Sequence, residues 1–305
     1  AGFIPISSVL RTAYESLEER AKNNGEVTGI ATGYIGLDRM TSGLHADELI
    51  ILAARPSVGK TAFVLNIAKN VAVNLNETVA IFSLEMGAES LVERIICSHA
   101  SINAGHLKTG KLTPEEYTQY FVATGALSEA PIFIDDTPGI RVAEIRAKCR
   151  RLKQERNNLG LVVIDYLQLI EGNGKESRQQ EVSEISRNLK KLAKELKVPV
   201  IALSQLSRGV EQRQDKRPIM SDIRESGSIE QDADIVAFLY RDDYYRQEPD
   251  ENGHVPEVEP NSTIEVIIEK NRSGPRGTVE LNFMKEFNKF TNLVPDGVEQ
   301  NAPMA

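Results

Sequence analysis

The chain is poor in cysteine, in long apolar runs and in net positive charge, and each shortage removes a class of function. Its 305 residues hold two cysteines, Cys97 and Cys149, inside apolar helical patterns without metal-ligand spacing. They read as reduced, buried thiols of a cytoplasmic protein. No apolar stretch approaches the ~18 residues that cross a bilayer, and the first residues form no signal-peptide core, so no membrane partner is expected. Lys and Arg number 36 against 44 Asp and Glu, a net charge of −8. Any basic surface for nucleic acid must therefore be local. An initiator Met is also missing; the opening Ala1-Gly2-Phe3-Ile4-Pro5 is that expected of a fragment of something longer.

What is present supports a full core, since 41% of the residues are hydrophobic. Apolar runs predict strands at Glu48 to Ala54, Thr78 to Leu84, Pro131 to Asp135, Leu161 to Asp165, Val198 to Leu203, Asp234 to Tyr240, Thr263 to Lys270 and Thr278 to Phe283. Helices are expected between them at 61–74, 87–100, 114–128, 142–157 and 178–196. This alternation argues for an α/β fold, a mostly parallel sheet flanked by helices, and the turn signal Ser273-Gly-Pro-Arg-Gly277 for a C-terminal β-hairpin. Ser7 to Asn23 reads as an amphipathic helix with Ile6, Val9, Leu10, Ala13 and Leu17 on one stripe. Detached from the sheet, it is expected to bury that stripe on a neighbouring subunit. The acidic, Pro-rich residues 247–262 read as a surface insertion.

The strand ending at Ala53 runs directly into Ala54-Arg-Pro-Ser-Val-Gly-Lys-Thr61. A strand, a loop closing on Gly-Lys-Thr and a helix form a phosphate cradle: loop amides point at a triphosphate, the lysine reaches its β and γ oxygens, and the threonine ligates Mg²⁺. The residues concerned are Ser57, Val58, Gly59, Lys60, Thr61 and Ala62, and the ligands a triphosphate and Mg²⁺. Ala54 stands where the pattern has its first Gly, a departure that costs only if the position needs φ > 0. A chance Gly-Lys-Thr at an ordinary helix start is the bland alternative.

Such a cradle needs a metal-holding carboxylate at a neighbouring strand end. Leu161-Val-Val-Ile-Asp165 describes a buried parallel strand whose acid emerges at the ligand edge. The rival Ile132-Phe-Ile-Asp135-Asp136 runs into Thr137-Pro-Gly139 and reads as turn carboxylates. Glu85, after Val79 to Leu84, belongs to the same edge and is a candidate base for water, or else an acid near the start of the next helix. Gln205, at the end of another strand, is a candidate γ-phosphate sensor.

The ordered set Ala54 to Thr61, Phe82-Ser-Leu-Glu85-Met86, Leu161 to Gln168, Ala202-Leu-Ser-Gln205-Leu-Ser-Arg208 and Ser221-Asp-Ile-Arg224-Glu-Ser-Gly227 closely resembles the ATPase domain of the DnaB-type bacterial replicative helicases, over roughly residues 8 to 295. The resemblance implies a RecA-like P-loop core in a homo-hexameric ring around one DNA strand, with ATP bound between subunits and translocation 5′ to 3′. It divides the chain into a linker helix at 1–25, the motor at 26–298 and a flexible tail at 299–305. Primase and a helicase loader are implied partners, and the bacterial cytoplasm the implied location. By position, Lys60 and Thr61 would bind phosphates and Mg²⁺, Glu85 would be the base, Asp165 would hold Mg²⁺ through water and Gln205 would sense the γ-phosphate. Arg272 would be a finger reaching into the neighbour's nucleotide, with Lys270 its companion. Both cations sit at a strand end beside a tight turn, where a fixed guanidinium can meet developing charge, although exposed hairpin cations are usually just solvated.

DNA contact is expected from Glu171 to Gln180 and from the loop carrying Arg208, Arg213, Lys216, Arg217 and Arg224 within seventeen residues. Neither loop has an aromatic residue, so backbone tracking rather than base stacking is expected. The resemblance assigns single-stranded DNA phosphates to Arg224, Glu225 and Gly227, with Arg208 nearby. A RecA-like recombinase and an ATP-gated ring-assembly protein are the alternatives.

Overall fold

In the computed structural model, β1 (Leu49–Ala54) carries Ile50, Leu52 and Ala54 into one core and Leu49, Ile51 and Ala53 into another. A strand alternates its side chains between faces, so a run buried throughout must have cores above and below it. The structure describes residues 2–22, 27–174, 177–224, 226–245, 251–254 and 261–293. The described strands β2 (Thr78–Ser83), β3 (Ile132–Asp135), β4 (Leu159–Asp165), β5 (Val200–Gln205), β6 (Ile235–Tyr240), β7 (Asn261–Asn271), β8 (Gly277–Met284) and β9 (Lys289–Asn292) join β1 in one sheet. Its order is β3-β2-β4-β5-β1-β6-β7-β8-β9, parallel as far as β6 and antiparallel beyond it.

Helices cover both faces. On one lie α3 (Lys60–Asn74), apolar nearly all round and buried at Phe63, Val64, Ile67 and Val71, and α4 (Ala88–Ala100). On the other lie α7 (Val142–Glu155) and α8 (Arg178–Leu196), the latter burying Val182, Ile185, Leu189, Leu192 and Leu196 at helical spacing. A satellite core of Ile96, Ile102 and Ala123 lies between α4 and α6 (Pro114–Ser128), the latter started by a Thr113–Glu116 capping box, and the short α5 (Ala104–Thr109) buries none of its own residues. Cys97 and Cys149 are both buried and unpaired.

Each of the eight expected strands forms, with ends shifted by up to two residues; β4, for one, begins at Leu159 rather than Leu161. β5 starts at Val200 rather than Val198, because Pro199 has no N–H to give a ladder and the pairing begins with the Val200 N–H on Glu48. β7 begins at Asn261, taking two residues from the expected surface insertion. The C-terminal hairpin is a three-stranded extension, since β9 folds back on β8 with Phe283 opposite Phe290. Three short helices also went unread: α2 (Ile35–Thr41), α5 and α9 (Ser226–Asp232), which have too few turns to display a period. The amphipathic helix α1 (Ile6–Lys22) forms, but it buries nothing in its own chain; Ile6, Leu10 and Leu17 stay 77%, 59% and 55% exposed.

Candidate functional site

The loop from Arg55 to Gly59 leaves the C-terminal end of β1 and turns into α3 at Lys60. Ser57 takes a left-handed conformation (φ 67°), and Gly59 one at φ 123°, where a Cβ would come within 3.3 Å of the Phe283 and Phe290 rings. Glycine is therefore required at 59 for conformation and for space. Ala54 is the last residue of β1 and has no positive φ, so the missing first glycine costs nothing. Val58 and Ala62 point into the core, which leaves their backbone amides, with those of the first turn of α3, to face an anion.

Thr61 Oγ1 donates to Asp165 Oδ2 at 3.0 Å. The other carboxylate oxygen, Oδ1, is buried with no hydrogen-bond partner. An all-oxygen pair with an unsatisfied buried acceptor fits Mg²⁺, which takes one or two protein oxygens and keeps its waters. Burial pushes the Asp165 carboxyl above the usual range, with Thr61 and Lys60 pulling against it. Burial likewise pulls the Lys60 ammonium down, against the carboxylates of Asp165 and Glu85. Lys60 Nζ also lies 4.9 Å from the centre of the Tyr166 ring.

The rival acids are used elsewhere. Asp135 pairs with Lys148, and Asp136 accepts the Ala88 N–H at 2.9 Å, capping α4. Asp136 thus takes the cap role that Glu85 could have had. Glu85 is exposed, two residues beyond Ser83, which pairs in register with Asp165. Gln205 ends β5 opposite Ala54, and its N–H faces Gln168 Oε1 at 3.5 Å. Lys60, Thr61, Glu85, Asp165 and Gln205 therefore share the C-terminal edge of the parallel strands.

Arg272 and Lys270 do not. Arg272 donates to Asp234 Oδ1 at 2.8 Å and to the Gln231 carbonyl at 2.9 Å, and Lys270 bonds the Glu230 carbonyl. Asp234 accepts the Leu49 N–H at the opposite, N-terminal end of β1. At about 3.3 Å per residue the two ends of β1 are roughly 17 Å apart, so Arg272 is remote from its own chain's P-loop.

The cation-rich loop is less free than its sequence suggests. Arg213 makes a two-pronged pair with Asp222 at 2.5 and 2.7 Å, Arg217 pairs with Glu265 at 2.7 Å, and Lys216 lies over the Tyr245 ring. Arg208 and Arg224 are exposed and make no ion pair among the described residues. The charge of Arg224 is felt at Tyr166, whose burial-raised hydroxyl pKa it opposes. Gly227 faces open space in α9, and Glu225 lies outside the described residues. Sequence reasoning also missed Arg241, buried beyond the end of β6, which donates to the Ser57 carbonyl at 3.3 Å and lies over Phe283. A lone arginine closing an apolar strand was its only signal.

A family model described as the DnaB-like helicase C terminal domain matches residues 29–292. The replicative DNA helicase DnaB of Geobacillus stearothermophilus is 64% identical over 293 residues, 95% of this chain and 62% of its own length. The replicative DNA helicase DnaC of Bacillus subtilis (strain 168) is 63% identical over 295 residues, 96% of this chain and 63% of its own length. The chain thus spans less than two thirds of the length of these relatives. Among solved structures, an isolated ATPase domain matches with a TM-score of 0.87 at 46% identity, over 96% of this chain and 100% of that one. A DnaB-like replicative helicase, described with its interactions with primase, matches with a TM-score of 0.84 at 46% identity, over 96% of this chain and 68% of that one. The parallel sheet, its P-loop edge and a family match that runs from residue 29 to β9 lead to one assignment: the chain belongs to the DnaB-like helicase C terminal domain family.

Proposed function

We propose that this chain is the ATP-driven motor of a replicative DNA helicase, which translocates 5′ to 3′ on single-stranded DNA as a homo-hexameric ring and unwinds duplex at the fork. The observation that carries the reading is a split between sheet edges: Lys60, Thr61, Glu85 and Asp165 share the P-loop edge, whereas Arg272 and Lys270 are bonded at the other. Arg272 lies too far to meet a nucleotide on the first edge of its own chain, and a neighbour's second edge can bring it there. The amides of Ser57 to Ala62 and the Lys60 ammonium cradle the phosphates. Thr61 and Asp165 would hold Mg²⁺, which would supply charge neutralisation for the phosphates. Glu85 takes a proton from the attacking water, Gln205 senses the γ-phosphate, and Arg272 with Lys270 meets the developing charge.

Arg224, Arg208, Gly227 and Glu225 track the DNA backbone without sequence preference. Ring assembly is supported by α1, whose apolar stripe has no cover in its own chain. We assign residues 1–25 to a linker helix docking on the adjacent subunit, 26–298 to the motor and 299–305 to a tail. A primase and a loader are the expected partners, in the cytoplasm at the replisome. The test is ATP turnover with and without single-stranded DNA, paired with unwinding of forked duplexes bearing a 5′ or a 3′ tail. DNA-stimulated turnover with unwinding from the 5′ tail is expected. Turnover indifferent to DNA leaves only ring assembly, and strand exchange without net unwinding leaves a recombinase.

A further inference from the structure

The function assigned to Arg272 raises the question of what fixes its guanidinium, and the answer lies in Asp234. This residue is 7% exposed, just before β6, and its carboxylate has two sides. On the inner side Oδ2 accepts the Leu49 N–H at 2.8 Å and Lys190 Nζ at 2.6 Å. On the outer side Oδ1 accepts Arg272 at 2.8 Å. The backbone adds a further tie, since the Arg272 N–H donates to the Asp234 carbonyl at 2.9 Å.

Lys190, whose side chain is 15% exposed, already balances the buried carboxylate. The Arg272 side chain is 47% exposed, and a pair so open to water contributes little stability. What the contact does provide is place. A guanidinium has five N–H donors in a rigid fork. Asp234 and the Gln231 carbonyl take one edge of it, and the rest of the group remains turned outward.

We propose that Asp234 is a positioning residue for Arg272, holding the guanidinium at the sheet edge in the orientation with which it enters the neighbouring subunit's nucleotide site. The proposal rests on the reading of Arg272 as a finger acting in trans. Asp234 touches no nucleotide, and its effect passes entirely through Arg272.

The test is turnover by the oligomer with ATP and single-stranded DNA, using Asp234→Asn. An asparagine has one acceptor oxygen, and the Leu49 N–H and Lys190 together draw it inward. Its NH₂ then faces Arg272, donor against donor, so the substitution frees the guanidinium and keeps the inner bonds. A misplacement of this kind is expected to lower kcat by ~10- to 10²-fold. The KM for ATP and the DNA affinity should stay close to wild type, while the melting temperature falls because Lys190 loses its counter-charge. Lys190→Met, which breaks the other ion pair to the same carboxylate, should lower the melting temperature and spare kcat.

Two measurements separate positioning from mere structure. Mixed with Lys60→Ala subunits, the Asp234→Asn chain should recover DNA-stimulated turnover, because some interfaces then pair an intact Lys60 with an intact Asp234–Arg272 contact. Placed on an Arg272→Ala background, Asp234→Asn should cost nothing more. A wild-type kcat for Asp234→Asn beside an inactive Arg272→Ala overturns the proposal. So does a loss that Lys60→Ala subunits fail to restore once subunit exchange is confirmed, or one that adds to Arg272→Ala. If Arg272→Ala itself turns over normally, the finger reading fails first and takes the proposal with it. Should Asp234→Asn not fold, Asp234→Glu shifts the anchor by one methylene with its charge intact and is read in the same way.

Discussion

Thr61 and Asp165 stand 104 positions apart in the chain, yet the threonine hydroxyl donates to the aspartate at 3.0 Å, tying the P-loop helix to a strand two places away in the sheet. The bond uses one carboxylate oxygen and leaves the other buried without a partner. If that pair holds Mg²⁺, Asp165→Asn should weaken the metal's affinity in the nucleotide complex by ~10- to 100-fold, the range for a group that acts on a metal through its outer ligands. Titrating Mg²⁺ against a fluorescent ATP analogue measures it; an unshifted curve would exclude Asp165 from the metal site.

Lys60 and Glu85 should separate binding from chemistry. Lys60 meets the phosphates in the ground state, so Lys60→Ala should lose nucleotide affinity and turnover together. Glu85 lies exposed, with its cap role taken by Asp136, and Glu85→Gln should keep ATP bound while slowing hydrolysis by ~10² to 10⁴-fold. Equilibrium binding beside single-turnover hydrolysis reads both, and normal hydrolysis by Glu85→Gln places the base elsewhere.

Two arginines of one loop should behave differently. Arg224 is exposed and unpaired among the described residues, so Arg224→Ala should weaken single-stranded DNA binding alike across sequences and flatten the slope of log K against log salt by ~0.7. Arg213 is committed to Asp222, so Arg213→Ala should cost ~1–3 kcal/mol of stability instead, read by denaturant melts. A loss confined to particular sequences for Arg224→Ala would contradict backbone tracking.

Lys69 supplies a pH signature of the fold. Burial, and then the nearby charge of Lys289, pull its ammonium down to about 8. His99, on the adjacent α4, is depressed by burial and by both lysines. Between that value and the ordinary lysine pKa, the unfolded chain binds the extra proton, so stability rises with pH across this window and the penalty is in full force below it. Lys69→Met should therefore raise the melting temperature at pH 7, and its advantage should shrink as pH approaches ~10.4. A pH-independent difference would mean that the charge of Lys69 is not penalised.

The resemblance and the P-loop were legible because their information is local: a strand, a Gly-Lys-Thr turn and a helix follow one another within a few residues. That Asp165 rather than Asp135 would stand beside Thr61 was legible too, since four apolar residues ending in one acid mark a strand buried on both faces. β9 was not. It is four residues long and is held by contacts from afar, with Phe290 stacked on Phe283 across an antiparallel register and its backbone bonded to Tyr34 and Asn66, none of which a local period encodes.

The sequence by itself determined which groups can do chemistry and, through apolar periodicity, which segments become strands and helices. Tertiary structure alone decided how those groups are divided. It tied Arg213 and Arg217 to acids and left Arg208 and Arg224 without an ion pair among the described residues, although all four read alike as loop cations. It also set Lys60 and Arg272 at opposite ends of the strands. The reason is that partners are brought together by folding: Glu265 and Asp234 lie 48 and 38 positions from their arginines, spans that the folded sheet closes, and Asp222 lies nine positions from Arg213 across the turns of one loop.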